Sequence, residues 1–346
     1  MEFDFDKQLE KMMREHELQT IVVLGHINPD GDASGSVMAV AHYIHTVHPE
    51  YKVFPYLADT LDKGPKSLVV KDKIFHPFDL PEIKEAYAVI QCDTAAMSRI
   101  AGKELYDGAA VSMVIDHHAS NPKYGDINYV KISEACAENV FYILDWYKWK
   151  EAVRRSEDVE KMHPCAADYV YLGIVHDTSA FSRADYSTFK AAEELLRMGV
   201  DHRKIMRTMN AATFEDERRR ASLYNMVQRV WDGKVAYVMV GRKEIETLGI
   251  TYEDIHPFSG ILRDCEDIEM AFTMYEEELG CWRCSFRSDG KWINVNELLQ
   301  HFKGGGHAGA AGVRKHTDDP CGLIDQILRK AEEMRGSESA IHTEDI

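Results

Sequence analysis

The sequence has few of the features that mark exported or membrane-spanning proteins. Its seven cysteines are an odd number spread over 346 residues, which favours reduced thiols over a disulfide framework. No stretch approaches the roughly 20 apolar residues that a transmembrane helix needs, and the acidic N-terminus has neither the basic nor the apolar region of a secretory signal. These absences predict a cytoplasmic protein that makes no contact with membranes.

Positive charge is also scarce, because 41 Lys and Arg residues stand against 58 Asp and Glu and leave a net charge of −17. Such a balance disfavours a protein that binds long nucleic acid through phosphate contacts along a basic surface. It still allows a small anionic substrate held by metal ions and a few local arginines. A lone CxxC pair, Cys281 and Cys284, has no second pair and is interpreted as part of a strand rather than as a zinc or redox site.

Three apolar, strand-like segments are each followed by side chains of the types that commonly bind metal ions. They are residues 20–25, followed by His26, Asp30 and Asp32; residues 87–92, followed by Asp93; and residues 112–115, followed by Asp116, His117 and His118. Because ligand sites of parallel sheets form at the carboxyl ends of strands, we expect these side chains to meet at one edge. The ordinary alternative is a set of polar turns and helix caps.

Helical patterns between the strands predict an α/β fold with a doubly wound parallel sheet. Residues 52–57 predict a further strand, and the helical patterns begin near residues 33, 135 and 164. The last of these helices leads to Asp177, which alone would be an ordinary surface acid. His176 beside it is interpreted as a residue that does not bind metal.

A second, smaller α/β domain is predicted after a charged helix near residues 213–231. Its arginine run, residues 218–220, is interpreted as a solvated helix face rather than a nucleic-acid patch. Strands are predicted at residues 234–240, 269–275 and 281–288. The predicted organisation is a first domain over 1–212, a linker helix over 213–232, a second domain over 233–335 and a disordered tail over 336–346.

The candidate ligands together are four carboxylates and two imidazoles: His26, Asp30, Asp32, Asp93, His117 and Asp177. This set suits two divalent ions that share a carboxylate, and oxygen ligands mixed with imidazole favour Mn²⁺ or Mg²⁺ over a structural zinc. Two ions roughly 3.5 to 4 Å apart can activate a water molecule and bind the oxygens of a phosphoryl group. The residues therefore point to phosphoester hydrolysis.

The ordered motifs resemble those of the DHH phosphoesterase family. They lie at residues 26–33, 93–94, 116–118 and 177–178, and residues 287–288 and 304–307 are similarly like its DHHA1 domain. The resemblance covers about residues 20 to 315 and is closest to the stand-alone nanoRNase and pAp phosphatase group, which also includes enzymes that act on linear or cyclic dinucleotides. It implies a DHH domain, a DHHA1 domain and a cleft between them.

The resemblance also implies a role for each candidate. One Mn²⁺ would be bound by His26, Asp30 and Asp93, and the other by Asp32, Asp93, His117 and Asp177, with Asp93 as the bridge. Asp116 would orient an imidazole, His118 would lie near the scissile phosphate, and an activated hydroxide would attack without a covalent intermediate.

In the second domain the resemblance implies substrate recognition. Arg287 and Ser288 would bind a phosphate, and Asn294 the nucleotide. Gly304, Gly305, Gly306 and His307 would bind the terminal phosphate or base, through backbone N–H groups of the kind often found at a helix N-terminus. Arg263 is a weaker candidate. The sequence departs from many relatives at Lys303, where they have a further glycine.

The expected function is hydrolysis of short oligoribonucleotides to mononucleotides, removal of the 3′-phosphate of pAp, or both, by a monomer or homodimer. The alternatives are a cyclic dinucleotide phosphodiesterase, an inorganic pyrophosphatase or polyphosphatase, and a nucleotide sensor without catalysis. The glycine-histidine stretch argues against the pyrophosphatase, and the complete set of metal ligands argues against the sensor.

Overall fold

We describe the chain from a computed structural model, over residues 3–58, 61, 63–155, 164–209 and 212–341. It divides into two compact units, Met1–Ala211 and Ala212–Ile346. The family resemblance predicted α/β folding in both, and this is confirmed: the first unit contains a parallel sheet and the second a mixed sheet. No helix in these ranges is both long and apolar enough to cross a membrane.

The first unit is built on five parallel strands in the order β2-β1-β3-β4-β5. The strands are β1 Thr20–Leu24, β2 Lys52–Tyr56, β3 Tyr87–Cys92, β4 Val111–Asp116 and β5 Ile127–Val130. The helices are α1 Phe5–Glu15, α2 Gly31–Val47, α3 Lys63–Val69, α4 Lys103–Asp107, α5 Cys136–Ile143, α6 Trp146–Arg155, α7 Ala166–Asp177, α8 Tyr186–Arg197 and α9 His202–Met209.

Both faces of this sheet are covered, which explains why its central strands are apolar throughout rather than alternating. On β1, Ile21 and Val23 face the large core that contains α2 and α7, while Val22 and Leu24 face a smaller core with Leu105 of α4. The sheet is therefore doubly wound, as predicted.

The second unit has six strands in the order β10-β11-β9-β8-β7-β6, of which only β7 and β8 pair in parallel. The strands are β6 Gln228–Val230, β7 Val235–Val240, β8 Met270–Glu278, β9 Cys281–Ser288, β10 Gly305–His307 and β11 Ala310–His316. The helices are α10 Phe214–Asn225, α11 Arg242–Leu248, α12 Tyr252–Ile255, α13 Phe258–Arg263, α14 Val295–Gln300 and α15 Pro320–Ile341.

Two predicted boundaries differ from the structure. The helix expected to reach residue 231 ends at Asn225, and Gln228–Val230 pairs with β7 as an edge strand. Three exposed or half-buried residues are too few to show a period, so the sequence pattern does not reveal this strand. Residues 336–341 of the expected disordered tail continue α15, whereas residues 342–346 lie outside the described ranges.

Candidate metal centre

The strand order of the first unit places a crevice where the candidate ligands emerge. The chain leaves β1 towards β2 on one side and leaves β3 towards β4 on the other, so β1 and β3 form the switch point at which doubly wound sheets bind ligands. His26 follows β1 and Asp93 follows β3. The triplet that begins with Asp116 ends β4, the next strand along.

Two groups of potential ligand atoms form at this edge, and together they contain all six predicted metal ligands. Within each group the ligand atoms lie within 4.8 Å of one another: His26, Asp30 and Asp93 form one, and Asp32, His117 and Asp177 form the other. His176, which the sequence reasoning set aside, lies in a further group with Asp30 and Asp177.

Asp93 faces both groups with different oxygens. Its Oδ2 lies 3.5 Å from His26 Nε2, and its Oδ1 lies 3.4 Å from His117 Nε2. Asp93 Oδ1 is buried and has no hydrogen-bond partner among the described residues. Burying an unpaired carboxylate oxygen costs folding free energy unless a cation is bound to it. The backbone of Asp93 has φ 51°, a left-handed conformation that aspartate tolerates, and its N–H donates to the Ile115 carbonyl at 3.0 Å.

Backbone carbonyls set the tautomers of the two imidazoles. His26 Nδ1 lies 2.8 Å from the carbonyl of Ile27, and His117 Nδ1 lies 3.0 Å from the carbonyl of Ser133. Because a carbonyl only accepts, each Nδ1 carries a proton, and each Nε2 is directed towards Asp93. This is the arrangement in which histidine binds a metal ion.

The first turn of α2 holds two of the carboxylates. Asp30 is the N-cap of α2, and its Oδ1 accepts the backbone N–H groups of Asp32 and Ala33 at 2.9 and 3.0 Å. The buried Asp32 carboxylate accepts the N–H groups of Cys136 and Ala137, at the start of α5, at 2.6 and 2.8 Å. Asp30 is thus both a cap and a candidate ligand, since a carboxylate oxygen has more than one lone pair.

The charges of the centre are unbalanced without cations. Burial, reinforced by the charges of Asp93 and Asp177, raises the pKa of Asp32 well above its ordinary value. Burial also opposes ionisation of Asp93, but His117 and His26 outweigh it and hold the pKa of Asp93 well below its usual range. Burial lowers the basicity of His117, yet Asp93 and Asp32 raise its pKa to about 10. The donor set, the tautomers and the unsatisfied Asp93 oxygen all fit bound divalent cations.

Asp116 organises the residues around it. Its buried carboxylate accepts the His117 N–H at 2.8 Å, His118 Nδ1–H at 2.8 Å and Asn121 Nδ2 at 2.6 Å. The His118 side chain, 41% exposed, therefore has its Nε2 available for another partner. Asn121 also donates to the carbonyl of Thr94 at 3.1 Å and so ties the end of β4 to the turn after Asp93.

Sequence reasoning missed Asn121 and Asn139. Asn139 donates to the carbonyls of Asp116 and Lys131 at 3.0 and 2.6 Å. An isolated asparagine has no period or spacing that marks it. The position of Asn121 five residues after Asp116 was the one available sequence signal, because that distance allows a local hydrogen bond.

Close packing of α2 against α7 positions Asp177, the last residue of α7. A Cβ atom on Gly35 would lie 2.5 Å from the carbonyl oxygen of Tyr169, and one on Gly173 would lie 2.9 Å from Asp32 Oδ1. Only glycine fits at these two positions, so the helices can approach closely enough for Asp177 Oδ2 to lie 3.7 Å from His117 Nε2.

In the second unit the predicted substrate residues gather at one end of the sheet. His307 pairs with Ala310, which pairs with Arg287. Paired residues of a ladder point to the same face, so His307 and Arg287 lie two strands apart, about 10 Å, on one face. The Ser288 hydroxyl forms a local hydrogen bond, because it donates to the carbonyl of Ile293 at 2.8 Å.

Asn294 and the glycine stretch both take part in local backbone structure. The Asn294 side chain caps α14, accepting the N–H groups of Asn296 and Glu297 at 3.1 and 3.2 Å, and its amide donates to Glu297 at 2.8 Å. Its polar atoms are therefore used within the helix end. Residues 305–307 form strand β10 and not a helix N-terminus, because they pair with β11.

Gly304 and Lys303 precede β10 and shape its entry. A Cβ atom on Gly304 would lie 2.6 Å from the carbonyl oxygen of Gly312. Lys303, the departure noted in the sequence, has φ 64° and so keeps the left-handed conformation that suits glycine.

Arg263 is the last residue of α13, and its buried Nε has no hydrogen-bond partner among the described residues. Arg287 is half-buried, and burial lowers the pKa of its guanidinium, which nevertheless stays charged. Arg263 Nε thus remains an unused donor among the described residues, whereas an Nη1–H of Arg287 donates to the Phe286 carbonyl at 3.0 Å.

Comparisons with known proteins agree with these motifs. A sequence model of the DHH family, N-terminal domain, matches residues 20–174, and one of the DHHA1 domain matches residues 232–334. The chain is 27% identical over 317 residues to the bifunctional oligoribonuclease and PAP phosphatase NrnA of Bacillus subtilis, covering 91% of this chain and 94% of that protein. It is 28% identical over 304 residues to NrnA of Mycoplasma pneumoniae, covering 85% and 86%.

Among solved structures, an exopolyphosphatase-related protein from Bacteroides fragilis has a TM-score of 0.75 at 20% identity, covering 96% of this chain and 98% of that one. This likeness concerns the fold, and it extends over both units. The family matches and the relatives together give the assignment: the chain belongs to the DHH/DHHA1 family and is a DHH-type phosphoesterase.

Proposed function

We propose that this phosphoesterase hydrolyses short oligoribonucleotides and the 3′-phosphate of pAp at a centre of two divalent ions. The observation that carries the proposal is Asp93, whose two oxygens face separate ligand groups at 3.5 and 3.4 Å. The names of the NrnA relatives support oligoribonucleotides and pAp as substrates.

The chain's own residues would divide the work. His26, Asp30 and Asp93 would hold one ion, and Asp32, Asp93, His117 and Asp177 would hold the other. The ions, Mn²⁺ by preference, supply water activation and neutralise phosphate charge. This assignment keeps Asp116 as the residue that orients the triplet and leaves it with no metal-binding role.

His118 would act on the substrate. Its hydrogen bond to Asp116 raises its pKa despite partial burial, so the protonated imidazole is favoured. With Nδ1–H donated to Asp116, Nε2–H is left to donate to a phosphate or leaving-group oxygen. Arg287 and His307, on one face of the second sheet, would bind a further phosphate or the base.

The test is a substrate panel with Mn²⁺: pAp, pApA, short RNA, a cyclic dinucleotide and pyrophosphate. We expect hydrolysis of pApA and pAp, and release of phosphate from pyrophosphate alone would overturn the proposal. Preferential opening of the cyclic dinucleotide would favour that alternative instead. Asp93→Ala should abolish turnover and reduce the two Mn²⁺ bound per chain, measured by equilibrium dialysis. Asp107→Ala, which removes an exposed acid of α4, is the control and should do neither.

A further inference from the structure

A second concave region lies in the first unit, between α3 and α9. Its volume is about 670 Å³, within the range of small-molecule sites. Four cations line it, Lys71, Arg203, Lys204 and Arg207, together with a single carboxylate, Asp201. This local excess of positive charge is unusual in a chain whose net charge is −17.

None of the four cations forms an ion pair within the part of the chain that is described. Asp201 Oδ1 accepts the backbone N–H of Lys204 at 3.0 Å as the cap of α9. Other exposed arginines behave differently: Arg154 pairs with Glu151 at 2.6 Å and Arg197 with Glu193 at 2.8 Å. Charges left unpaired and concentrated in one concavity attract a polyanion.

The cavity is separate from the metal centre. Asp72, next to Lys71, lies 2.6 Å from His42 Nε2, on α2. His42 is eleven residues beyond Gly31, where α2 begins beside the metal centre, so about 16 Å of helix lies between them. An anion in the cavity would therefore bind through a different set of side chains.

Three of the cations lie on α9, Lys71 follows α3 by two residues, and these two helices are held against each other. Ile205 of α9 and Leu68 of α3 are buried in the main core of the unit. A Cβ atom on Gly64 would lie 3.1 Å from the Thr208 carbonyl oxygen and from Met209 Cα. The backbones beneath the cations are fixed, which lowers the entropy cost of gathering like charges around a ligand.

We propose that this basic cavity binds a small polyphosphorylated anion. Guanidinium groups match phosphate oxygens in pairs, and two arginines with two lysines provide for a ligand with several negative charges. The acidic surface elsewhere disfavours a long nucleic acid as the occupant. The site is additional to the proposed substrate site, since it uses none of its residues.

The test is calorimetric titration of the full chain with tripolyphosphate, without added divalent ion because that probe binds Mn²⁺ itself. We expect one tripolyphosphate per chain, and roughly tenfold or greater weakening in the variant Arg203→Gln/Lys204→Gln/Arg207→Gln. The matched control, Arg154→Gln/Lys190→Gln/Arg197→Gln, has the same change in charge and should keep the affinity within about twofold.

Two results would overturn the proposal: no binding to the wild-type chain, or the same affinity in the cavity variant and in the wild type. Circular dichroism melting establishes that both triple variants are folded. If the cavity triple variant does not fold, Arg203→Gln and Arg207→Gln are measured singly, and each should weaken binding about threefold. Hydrolysis of pApA should be unchanged in the cavity variants, because they leave the metal centre intact.

Discussion

Gly35→Ala tests how closely the positions of the metal ligands depend on helix packing. The added Cβ atom would lie 2.5 Å from the Tyr169 carbonyl oxygen and 2.9 Å from the Gly173 nitrogen. A carbon and a carbonyl oxygen in contact need about 3.3 Å, so α2 and α7 must separate by about 0.8 Å. No rotamer change relieves the contact, because both atoms belong to the backbone of α7.

The magnitude follows from two opposing effects. Overpacking costs about 1 to 3 kcal/mol, and the better helix propensity of alanine returns about 1 kcal/mol. We expect the free energy of unfolding of the first unit to fall by up to about 2 kcal/mol, which lowers Tm by up to about 8 °C at this size. Because α2 carries Asp30 and Asp32 and α7 carries Asp177, Mn²⁺ affinity and hydrolysis should fall as well.

The assays are thermal denaturation of the full chain and titration with Mn²⁺. The control is Gly260→Ala in α13, where the added Cβ atom meets nothing within 4 Å and stability should rise by up to about 1 kcal/mol. The reasoning is refuted if Gly35→Ala matches this control in Tm and binds Mn²⁺ as the wild type does.

Four further substitutions have separate readouts. His118→Ala should lower kcat about 100-fold or more while Mn²⁺ affinity stays within about threefold, because its Nδ1 is committed to Asp116; equal losses of both would contradict its assignment to the substrate. Asn121→Ala removes a buried 2.6 Å hydrogen bond to a carboxylate, so urea denaturation should show a loss of about 1.5 to 3 kcal/mol in unfolding free energy. Lys303→Gly relieves a left-handed lysine and should stabilise the second unit by about 0.5 to 1 kcal/mol by the same method, and a loss of stability would argue that the lysine has another role. In Asp6, burial is outweighed by His48 and Lys148, which lower the pKa from 3.8 to about 2; Asp6→Asn should therefore cost about 2 kcal/mol at pH 7, and its difference from wild type should vanish as pH falls from about 4 to about 2.

The Asp6 prediction follows from the direction of its pKa shift. A carboxyl group whose pKa is lower in the folded state stabilises that state above its unfolded pKa, and this stabilisation is lost as pH falls through the folded pKa. The wild-type chain loses the contribution in that window, whereas an asparagine has nothing to lose. A constant difference in unfolding free energy between the two proteins from pH 7 to pH 2 would contradict this. It would show that the contacts of Asp6 with Tyr43, His48 and Lys148 stabilise the fold independently of the charge on Asp6.

Local chemistry explains what could be predicted at the candidate site. Apolar strands ending in His26, Asp93 and Asp116 are visible in the sequence because strand period and turn residues are local properties. Parallel strands then bring their carboxyl ends to one edge, so the grouping of His26, Asp93 and His117 follows from topology, whereas the position of Asp177 depends on the packing of α7 against α2. The metal-ligand and substrate roles of these residues remain predictions.

Other features depend on partners that are distant in the chain. The sequence by itself determined the two α/β units, the family and the side chains gathered at the strand ends. Only the tertiary structure decided which oxygen of Asp93 faces which imidazole, that Asn294 caps a helix, and that Lys71 lies beside the cations of α9. The reason is physical: periodicity and turn preference are set by neighbours along the chain, whereas hydrogen-bond geometry, close packing at Gly35 and the charge of a cavity are set by neighbours in space.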